Sequence, residues 1–181
     1  MRTEFRISGS GGQGVITAGI MLANAAVRSG LYAVQSQSYG PEARGGSSKA
    51  EVVVSGEEID YPKAVQPNFT LCLTKQSYNS YGKNAPEGTL VYVDSSIELE
   101  EGSGAYPVPI MEGAKAISLR SANVVAVAFL TALTGLISRE NFLAALKEQF
   151  PRFYETNLKC AEAGFEMAAD CQKLGHCPLP R

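Results

Sequence analysis

Six residues near the start of the chain, Gly9-Ser10-Gly11-Gly12-Gln13-Gly14, constrain the fold more than any other stretch. An apolar run with Phe5 and Ile7 precedes them, and a small-residue pattern at helical spacing, Val15 to Ser29, follows. Strand, glycine turn and helix in that order predict the opening of a βαβ unit. Gly9, Gly11 and Gly14 have the G-x-G-x-x-G spacing of a dinucleotide-binding turn. In that motif the first glycine reverses the chain, the second admits a close backbone approach, and the third lets the helix lie against the strand. The free N–H groups at the helix start offer partial positive charge to an anion.

The rest of the chain continues the alternation. Strands are expected at Thr3–Ser8, Tyr32–Ser38, Lys49–Ser55, Asn68–Thr74, Thr89–Asp94 and Ala105–Ile110. Helices are expected at Gly12–Ser29, Lys75–Tyr81, Ser121–Thr134, Ser138–Gln149 and Glu155–Lys173. Ser121 and Ser138 are the expected N-caps, and Gly30 and Gly135 the expected helix stops. The pattern predicts a single α/β domain, Rossmann-like, with a mostly parallel sheet and helices on both faces. The domain is expected over residues 2–174, followed by a flexible tail at 175–181.

Composition narrows the function. The 181 residues carry a net charge of -2 with scattered basic side chains, which argues against nucleic-acid binding. No apolar stretch is long enough to span a bilayer, and no signal-peptide pattern follows Met1, so a cytoplasmic protein is expected. Cys72, Cys160, Cys171 and Cys177 form no C-x-x-C, so neither a zinc ribbon nor a cluster-binding pattern is present. Reduced thiols are expected, with a metal site of Cys171, His176 and Cys177 as the alternative.

The dinucleotide reading lacks a partner. An NAD site places an acid at the end of the second strand to bind the ribose hydroxyls. No acidic residue occurs from Val15 to Pro41, and the strand ends Gln35-Ser36-Gln37-Ser38. Two alternatives remain: the turn holds another anion, or it packs against a partner chain. A second unusual stretch follows the same strand and emerges on the same sheet edge: Ser36-Gln37-Ser38-Tyr39-Gly40-Pro41-Glu42-Ala43-Arg44-Gly45-Gly46-Ser47. Arg44, flanked by glycines, suits a carboxylate or phosphate. A solvated surface loop is the plain alternative.

The two stretches, with Glu58-Ile59-Asp60-Tyr61-Pro62 and more loosely Asn123, resemble the gamma subunit of 2-oxoacid:ferredoxin oxidoreductases, nearest the 2-oxoglutarate type. The resemblance runs from about Arg2 to about Phe150. It implies an accessory subunit of an enzyme that converts a 2-oxoacid and CoA to acyl-CoA and CO2, with electrons passed to ferredoxin. Thiamine diphosphate and iron–sulfur clusters would lie on partner subunits, alpha, beta and a ferredoxin-like delta, with no cofactor and no catalytic residue on this chain. Gly9, Gly11, Gly12, Gln13, Gly14, Ser38, Tyr39, Gly40, Pro41, Glu42, Arg44, Gly45, Gly46 and Asn123 are the implied contact or interface residues. An NAD(P)-binding oxidoreductase is the alternative function. The isolated chain is expected to be able to dimerise through its partner-facing surface.

Overall fold

The computed structural model describes residues 1–39 and 46–176. In chain order the elements are β1 (Arg2–Ser10), α1 (Val15–Arg28), β2 (Tyr32–Tyr39), β3 (Ser47–Ser55), β4 (Phe69–Cys72), α2 (Lys75–Ser77), β5 (Leu90–Asp94), β6 (Tyr106–Val108), α3 (Ile110–Ile117), α4 (Ala122–Thr134), α5 (Arg139–Gln149) and α6 (Tyr154–Lys173). A π-helical turn, Tyr78–Gly82, continues α2.

The strands form one six-stranded sheet in the order β2-β3-β1-β4-β5-β6. β1, β4, β5 and β6 are parallel, whereas β3 is antiparallel to both β1 and β2. The sheet is therefore mostly parallel with one reversed strand inserted between β1 and β2. β2 and β3 are consecutive in the chain and pair antiparallel, and α1 crosses over β3 to reach β2.

Side-chain alternation sorts the sheet into two faces. Phe5 and Ile7 of β1, Val52 of β3, Leu71 of β4 and Tyr92 of β5 enter the main core. Phe5 stacks on Phe69 at 5.4 Å between ring centroids, and Tyr92 meets Phe129 of α4 edge-on at 5.2 Å. The core-facing residues of α1, α3, α4, α5 and α6 join this cluster. Helices do occupy both faces, but unequally. Among the described residues the second face carries only α2 with its π-helical turn, over a small cluster of Cys72, Tyr78, Val91, Val93 and Ile97. Further along that face Arg6 pairs with Glu51 at 2.7 Å, and Lys49 reaches the same carboxylate at 2.8 Å.

α4 is buried on nearly every side, as its almost wholly apolar composition predicts. Gly164 of α6 makes this possible: a Cβ there would lie 2.4 Å from the Val125 carbonyl oxygen of α4. The two helices thus touch backbone to backbone.

Several expectations need correction. α3 is absent from the sequence reading, which runs a strand through to Ile110; the strand stops at Val108 and Pro109 opens a helix. Ile110 and Ala114, four residues apart, bury its inner face. Ser121 does not cap α4: its hydroxyl donates to Asn157 Oδ1 at 2.7 Å instead. Ser138 does cap α5, accepting from Asn141 N at 3.2 Å. His176, assigned to a loose tail, returns to the sheet. Tyr92 donates its hydroxyl to the His176 carbonyl at 3.0 Å, and the His176 ring lies 5.1 Å from that of Tyr106. Residues 177–181 lie outside the described residues.

A candidate contact site at the carboxyl edge of the sheet

β1 delivers the glycine turn to the carboxyl edge of the sheet. Gln13 folds back over it: its side-chain Oε1 accepts from Ser10 N at 2.8 Å, and its backbone N donates to Ser10 O at 3.3 Å. A Cβ at Gly9 would come 2.4 Å from Gln13 Oε1, so Gly9 makes room for this fold-back. The left-handed backbone lies at Gly12 and Gly14 (φ 89° and 70°), not at Gly9 as the motif predicts. Gly11 and Gly12 are exposed, with no atom within 4 Å of a Cβ built at either. Gly14 stands at the N-cap of α1, which has no side-chain cap and no acid in its first turn.

Two interactions tie the turn to neighbouring elements. Gln13 Nε2 donates to Met111 Sδ of α3 at 3.7 Å. Met111 N in turn donates to Asp94 Oδ2 at 2.7 Å. Asp94, buried at the end of β5, thereby caps α3 in place of Pro109, which has no capping group. On the other side Asn123, at the start of α4, packs against Gly14; a Cβ at Gly14 would lie 2.8 Å from its Nδ2. Asn123 Oδ1 accepts from Val124 N at 3.0 Å.

The second motif opens beside the first. Gly9 and Tyr39 both stand opposite Ser48, one on each side of β3, and Ser38 stands opposite Lys49. Ser48 donates its hydroxyl to Gly9 O at 3.4 Å. Gly46 immediately precedes Ser47, which stands opposite Ser10. Of the expected contact residues, the structure thus brings together Gly9, Gly11, Gly12, Gln13, Gly14, Ser38, Gly46, Asn123 and the backbone of Tyr39. Gly40, Pro41, Glu42, Arg44 and Gly45 lie outside the described residues.

Concavities flank the turn. One, of about 400 Å³, is bordered by Arg120, Asn123, Phe153 and Asn157. Another, of about 550 Å³, lies between Asp94, Ser96, Met111 and Lys115. Sequence reasoning missed Asp94, Met111, Lys115 and Arg120. An acid followed by two serines at a strand end was the one legible signal. The turn itself presents backbone N–H groups beside the Asn123 amide, and the neighbouring concavities carry Arg120 in one and Lys115 with the acids Asp94 and Glu112 in the other. Such donors and cations suit contact with an anion.

The dinucleotide reading fails on topology as well as on the missing acid. In a dinucleotide-binding unit the second strand runs beside the first; here β3 separates β2 from β1. Burial pushes the Cys72 thiol up to about 11, although Ser8 donates its hydroxyl to the sulfur at 3.4 Å. Burial also raises Cys160. Among the described residues no three His, Cys, Asp or Glu side chains gather as a metal site, and Cys177 lies outside them. No helix among the described residues is long and apolar enough to cross a membrane.

The comparisons agree with this architecture. A family model described as pyruvate ferredoxin/flavodoxin oxidoreductase matches residues 4–167. The chain is 41% identical over 182 residues to the 2-oxoglutarate synthase subunit KorC of Methanocaldococcus jannaschii, covering 94% of this chain and 96% of the relative. It is 35% identical to the ketoisovalerate oxidoreductase subunit VorA of Methanothermobacter thermautotrophicus, of which it covers 36%. Among solved structures, the gamma subunit of a keto/oxoacid ferredoxin oxidoreductase from Geobacter sulfurreducens superposes with a TM-score of 0.81 at 39% identity, over 94% of this chain and 98% of that one. Part of the 2-oxoglutarate:ferredoxin oxidoreductase from Magnetococcus marinus, solved with 2-oxoglutarate, coenzyme A and succinyl-CoA, superposes with a TM-score of 0.84 at 26% identity, over 93% of this chain and 31% of that one. The chain therefore belongs to the pyruvate ferredoxin/flavodoxin oxidoreductase family, as a gamma-type subunit of the 2-oxoacid:ferredoxin oxidoreductases.

Proposed function

We propose that this chain is the accessory gamma-type subunit of a multi-subunit 2-oxoglutarate:ferredoxin oxidoreductase, working with alpha, beta and ferredoxin-like delta subunits. The observation that carries this is the near end-to-end match to KorC, 96% of whose length the chain covers. The decarboxylation on thiamine diphosphate and the iron–sulfur electron transfer belong, in this reading, to the partner subunits. The role of this chain is contact. Its carboxyl edge faces the partners, and Arg44 pairs there with a carboxylate or phosphate. The open backbone at Gly11 and Gly12 and the uncapped start of α1 suit a phosphate of coenzyme A, with the Asn123 amide alongside. Cytoplasmic placement follows from the same reading.

Affinity purification of the chain from its native host tests this. Thiamine-diphosphate-binding and cluster-binding subunits should co-purify in fixed ratio. Recovery of the chain without them would overturn the assignment. In the purified complex, Arg44→Ala should leave assembly intact and raise the KM for CoA or 2-oxoglutarate; unchanged kinetics would remove Arg44 from the account.

A further inference from the structure

We propose that the concavity between the starts of α4 and α6 is a socket for a carboxylate carried by a partner subunit. The proposal rests on the reading of this chain as one subunit of a complex; the relatives it matches end to end are themselves subunits.

A buried amide points to a ligand. Asn157, near the start of α6, is 5% exposed and borders the concavity. Its Oδ1 accepts the Ser121 hydroxyl at 2.7 Å, whereas its Nδ2 meets no acceptor among the described residues. Polar groups buried so deeply are ordinarily paired. Arg120 borders the same concavity and forms no ion pair among the described residues. The turn Leu119–Ser121 and α4 both begin without a side-chain cap and without an acid in the first turn.

The lining selects the ligand's chemistry. A guanidinium, an amide NH2 and the N–H groups of helix starts are all donors, so they select an acceptor-only group, an oxyanion. The hydroxyls of Ser118 and Thr156 take either role. Segments 118–123 and 150–157, which form the concavity, carry two arginines and one glutamate, hence one positive charge net. A carboxylate balances that charge; a phosphate monoester exceeds it.

The rim identifies the carrier as a protein. Phe153, on the turn Pro151–Phe153, is 68% exposed at the concavity, and Leu119, next to Arg120, is 55% exposed. An exposed aromatic ring beside an arginine is the composition of an interface core. A partner segment that seats an Asp or Glu in the socket and lays apolar side chains on Phe153 satisfies both the donors and the rim.

The test uses the complex and the free full chain. Arg120→Ala and Phe153→Ala should each weaken binding of this chain to the remaining subunits at least about tenfold, with native circular dichroism. A photoreactive benzophenone side chain at position 153 should crosslink to a partner peptide that contains Asp or Glu. Arg120→Glu combined with arginine in place of that acid should restore the affinity that either change alone removes. Assembly should slow hydrogen exchange at residues 118–123 and 153–157, whereas millimolar inorganic phosphate or CoA added to the free chain should not. Failure of any subunit to co-purify would overturn the subunit reading and the socket with it. Assembly with unchanged affinity in both variants would overturn the socket alone, as would protection by phosphate or CoA with none gained on assembly.

Discussion

Asn123 occupies the space that a side chain at Gly14 would need: a Cβ at 14 would lie 2.8 Å from its Nδ2 and 3.1 Å from its Cγ. The last glycine of the turn is thus doubly constrained, by its left-handed backbone (φ 70°) and by a buried amide from α4. Gly14→Ala should destabilise the chain by roughly 2–5 kcal/mol, combining about 1–2 for left-handed backbone with about 1–3 for overpacking. The Gly14→Ala/Asn123→Ala pair should show a coupling of about 1 kcal/mol or more in a denaturation cycle, because truncating Asn123 relieves only the second part. Strict additivity would mean that the contact does not matter.

Asp94 links three elements from a single strand end. It accepts from Ser96 N at 3.1 Å and from Met111 N at 2.7 Å, and so holds the first turn of α3 under the Gln13 side chain. Asp94→Ala should cost about 1–3 kcal/mol through an uncapped helix start and unmade hydrogen bonds. Hydrogen exchange should quicken at residues 110–113 and in the glycine turn. Asp94→Asn, which keeps an acceptor, should be milder. Equal effects from both substitutions would contradict a capping role.

Cys72 gives a pH signature. Its folded-state thiol is raised from 9.0 to about 11 by burial. A raised thiol pKa stabilises the fold below the unfolded value, and that contribution is lost as pH climbs from about 9 through about 11. The stability deficit of Cys72→Ala should therefore shrink between pH 8 and pH 10.5, by at most about 3 kcal/mol. At pH 8 the folded thiol should alkylate about 100-fold more slowly than in the unfolded chain, in line with its thiolate fraction. A deficit independent of pH would count against burial as the cause.

Much of the architecture was legible in the residues because local pattern and tertiary role agree there. Phe5 and Ile7 alternate into the core, Ser138 caps α5, and the largely apolar segment 122–133 becomes the buried α4. Where the sequence misled, a distant group had intervened. α3 begins at a proline and contains Gly113, so its local preference is weak; Asp94, 17 residues away from Met111, supplies the cap. Ser121 looks like a cap but is claimed by Asn157. The glycine motif predicted the turn but not its wiring, because Gln13 folding over Gly9 and Asn123 filling the place at Gly14 depend on tertiary packing. The reversal of β3 was hidden for a similar reason: a strand's own residues do not encode its direction, which shows only in its pairing with its neighbours.

The central claim is that this chain completes a 2-oxoacid oxidoreductase by contact rather than by chemistry of its own. The direct measurement is 2-oxoglutarate- and CoA-dependent reduction of ferredoxin or a viologen dye by the reconstituted complex, with and without this subunit. The account predicts full activity only when the subunit is present, no activity from the subunit alone, and a deficit in its absence that appears mainly in the CoA dependence. Unaltered activity and CoA dependence without the subunit would contradict it.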